Sequence, residues 1–125
     1  YCEFNCTLCG QVCPTDAIEE LEVETKNKVK IGLAFIDVNR CLPYAFKTNC
    51  IVCEEHCPTS PKAILFESKT VMTEDGETVL KLPVIDPQEC IGCGICEFKC
   101  PVGEKAAIRV SSVGEDRSES NRIML

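Results

Sequence analysis

Twelve cysteines fall into three groups of four in this 125-residue chain, and that spacing constrains the fold more than any other feature. The groups run Cys2-x3-Cys6-x2-Cys9-x3-Cys13-Pro14, Cys41-x8-Cys50-x2-Cys53-x3-Cys57-Pro58 and Cys90-x2-Cys93-x2-Cys96-x3-Cys100-Pro101. The Cys-Pro pairs recur after 44 and then 43 residues, and each is followed by an Ala-Ile pair: Ala17-Ile18, Ala63-Ile64 and Ala107-Ile108. One structural unit is therefore written three times. Cysteine at this density admits either a disulfide scaffold or a set of metal sites. Disulfide frameworks are spaced irregularly by loop geometry, whereas these groups are nearly identical inside, which favours metal.

The length allows one domain, or two very small ones sharing a core. Apolar residues make up 45% of the chain, but twelve of them are cysteines, and what remains is thin for a self-sufficient core. Ligation is expected to supply part of the folding free energy. The formal charge of −7, with no basic stretch, excludes a nucleic-acid surface and suits a basic docking partner. No run reaches about 18 apolar residues and no signal-like start is present. A Ser/His/Asp constellation, a phosphate loop and a dinucleotide fingerprint are all missing, and one histidine supplies little acid–base chemistry. No small-molecule substrate site is visible.

The third group matches the iron–sulfur run C-x2-C-x2-C-x3-C-P without deviation. Three closely spaced thiolates can wrap one face of a cubane, because a short loop lets each sulfur point inward. Gly92 and Gly94 suit that loop: without a Cβ the backbone can approach closely and turn its N–H groups toward sulfur. The proline after each fourth cysteine holds that cysteine extended and turns the chain away. Zinc is the rival, since four thiolates also make a tetrahedral site. Zinc ribbons, however, pair two C-x2-C units across a dozen or more residues and do not need three consecutive ligands plus a distant fourth.

Pattern reading places a strand over about Val29 to Val38, where Val29, Ile31, Leu33 and Phe35 alternate. A second runs over about Ala63 to Met72, and a third over about Val79 to Ile85. Between these two, Asp75-Gly76 in "TEDGET" signals a hairpin. Pro83 fits an edge or a strand end. "AAIRVSSV" reads as the last strand, and short helical turns are expected around the third cysteine of each group, as in "CEEHCP" and "CEFKCP".

From Cys41 to Pro101, with the flanking strands, the chain resembles the bacterial 2[4Fe-4S] ferredoxin family. More narrowly it is similar to the polyferredoxins of the MauM/NapG type, which carry several such motifs with one enlarged gap, here "CLPYAFKTNCIVCEEHCP". The resemblance implies an α+β, ferredoxin-like pseudo-twofold dicluster fold with an extended hairpin, plus an N-terminal cluster-binding segment. The segments are 1–27 for the N-terminal cluster, 28–113 for the dicluster domain and 114–125 for a polar arm. It further implies crossed ligation: Cys41, Cys50, Cys53 and Cys100 on one [4Fe-4S] cluster, and Cys90, Cys93, Cys96 and Cys57 on a second. The gap of eight leaves Cys41 the least secured ligand, although an inserted loop can return its end to the same cluster.

Under that rule the first group lacks a partner. Cys2, Cys6 and Cys9 form three corners of a third cluster, while Cys13 either lends itself to a cluster whose other ligands lie upstream or closes its own. The expectation is a fragment of a longer polyferredoxin, with any targeting signal or membrane anchor preceding Tyr1. Its compartment is open between cytoplasmic and periplasmic or membrane-associated. The function implied is non-enzymatic: a relay of single electrons between redox proteins or other subunits. An electron-input segment of a larger oxidoreductase and a structural or maturation iron–sulfur role are the alternatives.

Three further features carry weaker readings. His56 sits between two ligands but reads as a solvent-side residue. Glu19, Glu20, Glu22 and Glu24 read first as a solvated face and second as a guide for a basic partner. Phe46, Phe66 and Phe98 either shield clusters from water or simply pack in the core.

Overall fold

The computed structural model describes residues 1–116. The remainder of the expected polar arm, 117–125, lies outside the described residues. Mixed short helices and two small antiparallel sheets make up the rest: α1 (Leu8–Val12), α2 (Val23–Lys26), β1 (Leu33–Ile36), α3 (Leu42–Phe46), α4 (Val52–Glu55), β2 (Ile64–Thr73), β3 (Gly76–Ile85), α5 (Ile95–Lys99) and β4 (Ile108–Ser111). Helices α1, α4 and α5 each begin one residue before the third cysteine of their group, at Leu8, Val52 and Ile95.

β1 pairs antiparallel with β4, with Leu33 opposite Ser111 and Ile36 opposite Ile108. The expected strand over Val29 to Val38 is cut to four residues. At its start Ile31 donates its N–H to Ile91 O at 2.9 Å, a loop rather than a strand partner, and at its end Asp37 begins a turn. β2 and β3 form the long hairpin, in register from Ile64 opposite Ile85 to Thr73 opposite Gly76. Its turn differs from the Asp75-Gly76 expectation. Glu74 and Asp75 occupy the loop, and Gly76 opens the return strand at φ 107°. Neither loop residue has positive φ, so Gly76 alone supplies the twist that a primed turn would otherwise provide. Thr73 Oγ1 steadies it by donating to Gly76 O at 3.0 Å.

The two sheets are tied to the cysteine loops by matching turns. Asp37 N donates to Ala107 O and Asp86 N to Ala63 O, both at 2.7 Å. Asp37 Oδ1 accepts from Asn39 N, and Asp86 Oδ1 from Gln88 N, both at 2.9 Å. Cys41 N then returns to Asp37 O and Cys90 N to Asp86 O, both at 3.0 Å. Each aspartate ends a strand and starts a turn that delivers the first cysteine of its group.

The core is small-sided: Ala34, Ala63, Ile64, Ile108, Cys90 and Cys96 cluster together, with Ala107 also buried. Burying so little aliphatic bulk is what the composition foretold. Pro43 and Pro83 are fully buried. Pro83 sits in β3 of a two-stranded sheet, where its missing N–H can face the open edge. No described helix is long and apolar enough to cross a membrane.

Candidate metal centres

Two cavities of equal size, about 20 Å³ each, lie on either side of the core. The first is lined by Cys90, Cys93 and Cys96 from the third group and by Cys57 from the second. Cys41, Cys50 and Cys53 line the other, with Cys100 from the third group. Apolar side chains close both, among them Ala34, Ile64 and Val110 in one and Ile36, Leu42 and Ile108 in the other. All twelve cysteines are free thiols.

The third-group loop is shaped by backbone. Gly92 and Gly94 take φ of 75° and 81°, and Gly94 caps the N-terminus of α5. A Cβ on Gly92 would lie 2.5 to 2.6 Å from the backbone of Gly32, so β1's entry and this loop pack main chain against main chain.

The second group reaches the same result differently. Its gap of eight holds α3, opened by Pro43 in the first turn and ended by Lys47 in the left-handed conformation at φ 53°. Thr48 N bonds back to Leu42 O at 3.2 Å. Asn49 then pins the loop to β3, donating Nδ2 to Val79 O at 3.1 Å and accepting from Lys81 N at 2.9 Å. Tyr44 donates its hydroxyl to Pro83 O at 2.9 Å. The inserted helix thus leans on the lengthened hairpin, and Cys41 and Cys50 end on one cavity wall despite their separation.

Several donors aim at sulfur. Ala34 N points at Cys90 Sγ and Ala107 N at Cys100 Sγ, both at 3.4 Å, and Thr59 Oγ1 lies 3.3 Å from Cys57 Sγ. Burial nevertheless makes the thiols reluctant to ionise alone. It pushes Cys96 up to about 12 and Cys53 up to about 11, with repulsion from neighbouring cysteines second. Cys41 and Cys93 are raised for the same first reason. A bound cation centre reverses this preference and releases the protons.

The same couplings show which sites adjoin. A Cys53 thiolate is felt at Cys96, and a Cys2 thiolate at Cys93. Cys2 also donates its N–H to Cys93 O at 2.7 Å, and Tyr1 lies against Phe98 with ring centroids 4.8 Å apart. The first group docks here through a wider cleft that Cys2, Cys9, Ile18 and Lys26 share with Cys93. Cys6 and Cys13 do not border that cleft. Cys13 is half-buried, and N–H groups of Ile18 and Thr15 bring its thiol down to about 7, helped by the Thr15 hydroxyl.

Other sequence candidates fall away from the cavities. His56 is exposed and its Nδ1 lies 2.9 Å from Val52 O, within its own helix. Phe46 and Phe98 are 65% and 64% exposed, so they neither shield a cavity nor fill the core. Phe66 is half-buried on β2 and lines neither cavity. The four glutamates at 19, 20, 22 and 24 are all exposed, as a solvated face requires. Asp37 and Asp86 were passed over in the sequence, although Asp-x3-Cys appears at both 37–41 and 86–90.

The donor sets fit polynuclear iron–sulfur centres. Each cavity gathers four thiols and an apolar wall, with N–H or O–H donors behind the sulfurs. Among the described residues no three His, Cys, Asp or Glu side chains converge tightly enough for one ion. A tetrahedral zinc ion would need all four sulfurs about 2.3 Å from its centre.

The comparisons with known proteins agree. A 4Fe-4S binding domain matches residues 83–103. Over 103 residues, 82% of this chain, it is 38% identical to the methylamine utilization ferredoxin-type protein MauM of Methylobacillus flagellatus, covering 41% of that protein. Over the same length it is 36% identical to the ferredoxin-type protein NapG of Escherichia coli, covering 43%. The chain spans about two fifths of the length of these curated relatives. No solved structure matches it. The cysteine runs, the fold and these matches place the chain among the ferredoxin-type iron–sulfur proteins, whose cofactor is the [4Fe-4S] cluster. Within that class it is similar over most of its length to the MauM- and NapG-type proteins.

Proposed function

We propose that this chain is a non-catalytic electron carrier, relaying single electrons through several [4Fe-4S] clusters between redox proteins or other subunits. The observation that carries this reading is the convergence of eight cysteines into two quartets, each with three local members and one from the other group. In this reading Cys41, Cys50, Cys53 and Cys100 hold one cluster and Cys90, Cys93, Cys96 and Cys57 the second. Cys2, Cys6 and Cys9 serve a third, with Cys13 closing it or lent elsewhere. The paired aspartate turns and the two Ala-Ile pairs support a pseudo-twofold relation between the halves of a dicluster domain over 28–113.

The clusters supply reversible one-electron chemistry with charge spread over iron and sulfur. The chain's own residues do the rest. Donors at Ala34, Ala107 and Thr59 stabilise negative sulfur, which favours the reduced state, while the apolar walls exclude water. Adjacency sets an order, with the quartet containing Cys93 and Cys96 between the first group and the quartet containing Cys53.

An EPR-monitored redox titration of the full chain, reconstituted anaerobically with iron and sulfide, tests the relay. Reversible one-electron steps within the range of roughly −700 to +450 mV are expected. Clusters that take up no electron anywhere in that range would leave only a structural role.

A further inference from the structure

The alanines at 63 and 107 turn their backbone N–H groups toward the cysteine sites, and they do so in two different ways. Ala107 N points straight at Cys100 Sγ, at 3.4 Å. Ala63 N instead donates to Thr59 Oγ1 at 2.9 Å, and that hydroxyl lies 3.3 Å from Cys57 Sγ. In other respects the two alanines are alike. Each is 2% exposed, and each carbonyl accepts from the aspartate that ends a strand, Asp37 for Ala107 and Asp86 for Ala63.

The difference enters through the sequence. Thr59 follows Cys57-Pro58, whereas Val102, which has no hydroxyl, follows Cys100-Pro101. Pro58 and Thr59 line one cavity as Pro101 and Val102 line the other. Among the described residues Thr59 is the one polar residue that is buried, and a hydroxyl withdrawn from water is costly unless it is hydrogen-bonded. Its oxygen is satisfied by Ala63 N, which leaves its single hydrogen for sulfur. A Cys57 sulfur bound to iron carries no proton, so toward the hydroxyl it can only accept.

We infer that Thr59 is a positioning residue that relays the Ala63 N–H to Cys57 and thereby raises the reduction potential of the cluster proposed for Cys90, Cys93, Cys96 and Cys57. This rests on the ligand sets proposed above. The N–H polarises the hydroxyl and strengthens its bond to a negative sulfur. When a redox protein delivers one electron, negative charge on the sulfurs grows, the bond tightens, and the hydroxyl keeps its proton. The reduced state therefore gains more than the oxidised one. A threonine that only capped Ala63 N would support the turn and leave the potential alone.

The full chain, Thr59→Val, Thr59→Ser and Cys57→Ala are each reconstituted anaerobically with iron and sulfide, assayed for iron and titrated with EPR detection. Thr59→Val keeps the branched shape and loses the hydroxyl. It is expected to lower the reduction equilibrium of one cluster on the order of tenfold, about 59 mV for a one-electron couple, while Thr59→Ser holds the unmodified potential. The couple that moves should be the one missing from Cys57→Ala. An unmoved potential in Thr59→Val, an equal fall in Thr59→Ser, or movement of a couple that Cys57→Ala retains overturns the relay. If Thr59→Val loses that cluster's iron, Thr59→Ala is titrated in its place, and loss there too, with Thr59→Ser intact, overturns the relay in favour of a structural cap. Should Cys57→Ala keep every cluster, the ligand set itself falls, and that failure is read from iron alone, apart from the Thr59 titrations.

Discussion

The Ala-Ile pair that follows each Cys-Pro is the same word in three places with two different fates. Ala63, Ile64, Ala107 and Ile108 are 2% or 3% exposed and form the floor of the core. Ala17 is exposed, and Ile18 is 49% exposed beside the cleft of Cys2 and Cys9. The difference lies in what each copy meets. Copies two and three meet each other: Asp37 takes its partner at Ala107 and Asp86 at Ala63, so each Ala-Ile pair completes the other half's strand end. The first copy docks on the side of the third-group loop through Cys2 N and Tyr1, and its own Ala-Ile pair stays exposed. Copies two and three thus bury their Ala-Ile pairs against each other, whereas among the described residues the first copy's pair faces neither of them.

The largest effect that could break this contrast comes from Cys57 and Cys100, the ligands proposed to be lent across. Cys100→Ser is expected to strip the cluster of the second group, and Cys57→Ser that of the third. Each should lose about one [4Fe-4S] equivalent of iron, with a marked loss of stability because ligation is folding free energy here. Cys13→Ser should leave both of those clusters and the fold intact. Iron analysis with EPR decides the matter, and crossed ligation fails if Cys100→Ser spares the second group's cluster.

Next in size is thiol chemistry in the metal-free chain. Alkylation of Cys13 should rise with a midpoint near pH 7, whereas Cys53 and Cys96 should resist until about pH 11 and 12. The linkage has opposite signs in the two regions. Burial raises the folded values of Cys53 and Cys96, so their contribution to stability is complete below the unfolded value near 9 and is lost as pH climbs to 11 and 12. For Cys13, the lowered value means its contribution holds above about 9 and fades as pH falls through 7. Mass spectrometry after pulse alkylation reads all three sites. Equal midpoints at Cys13 and Cys96 would erase the distinction between exposed and exchanged copies.

What the sequence disclosed follows the same line. Spacing alone separated the groups and located the short helices, because the third cysteine always opens a turn. The long hairpin was legible from alternation and from Gly76, yet its turn slipped by one residue, since a glycine can supply positive φ after the loop as well as inside it. Helix α3 escaped notice: five residues carry no periodicity, and the Pro43 start signal was hidden inside a gap viewed only as ligand spacing. The phenylalanines were read by composition, whereas exposure depends on which face of a two-stranded sheet or a one-turn helix has a neighbour.

Gly92→Ala would sharpen the comparison inside the exchanged pair. The third-group loop depends on main chain meeting main chain at Gly32, at a positive φ that side chains avoid. A methyl group there should cost about 2 to 4 kcal/mol by adding overpacking to backbone strain. Gly114→Ala has nearly the same φ, 74°, but open space around it, so it should cost only about 1 kcal/mol. Chemical denaturation of the reconstituted variants measures both. Equal costs would mean that the contact with Gly32 contributes nothing.

The second group has no Gly92 to lose, and its smallest test lies at Asn49. That side chain joins the inserted loop to β3 with two hydrogen bonds, to Val79 O and from Lys81 N, near the surface. Removing both in Asn49→Ala should cost about 1 to 2 kcal/mol, since water can replace part of each bond. The loss should fall on the cluster proposed for Cys41, Cys50, Cys53 and Cys100, seen as faster release of its iron to a chelator, while the cluster proposed for Cys90, Cys93, Cys96 and Cys57 keeps its rate. A loop that held Cys50 in place by backbone geometry alone would show no such selectivity, and the hairpin's extra length would then have no part in positioning the ligand.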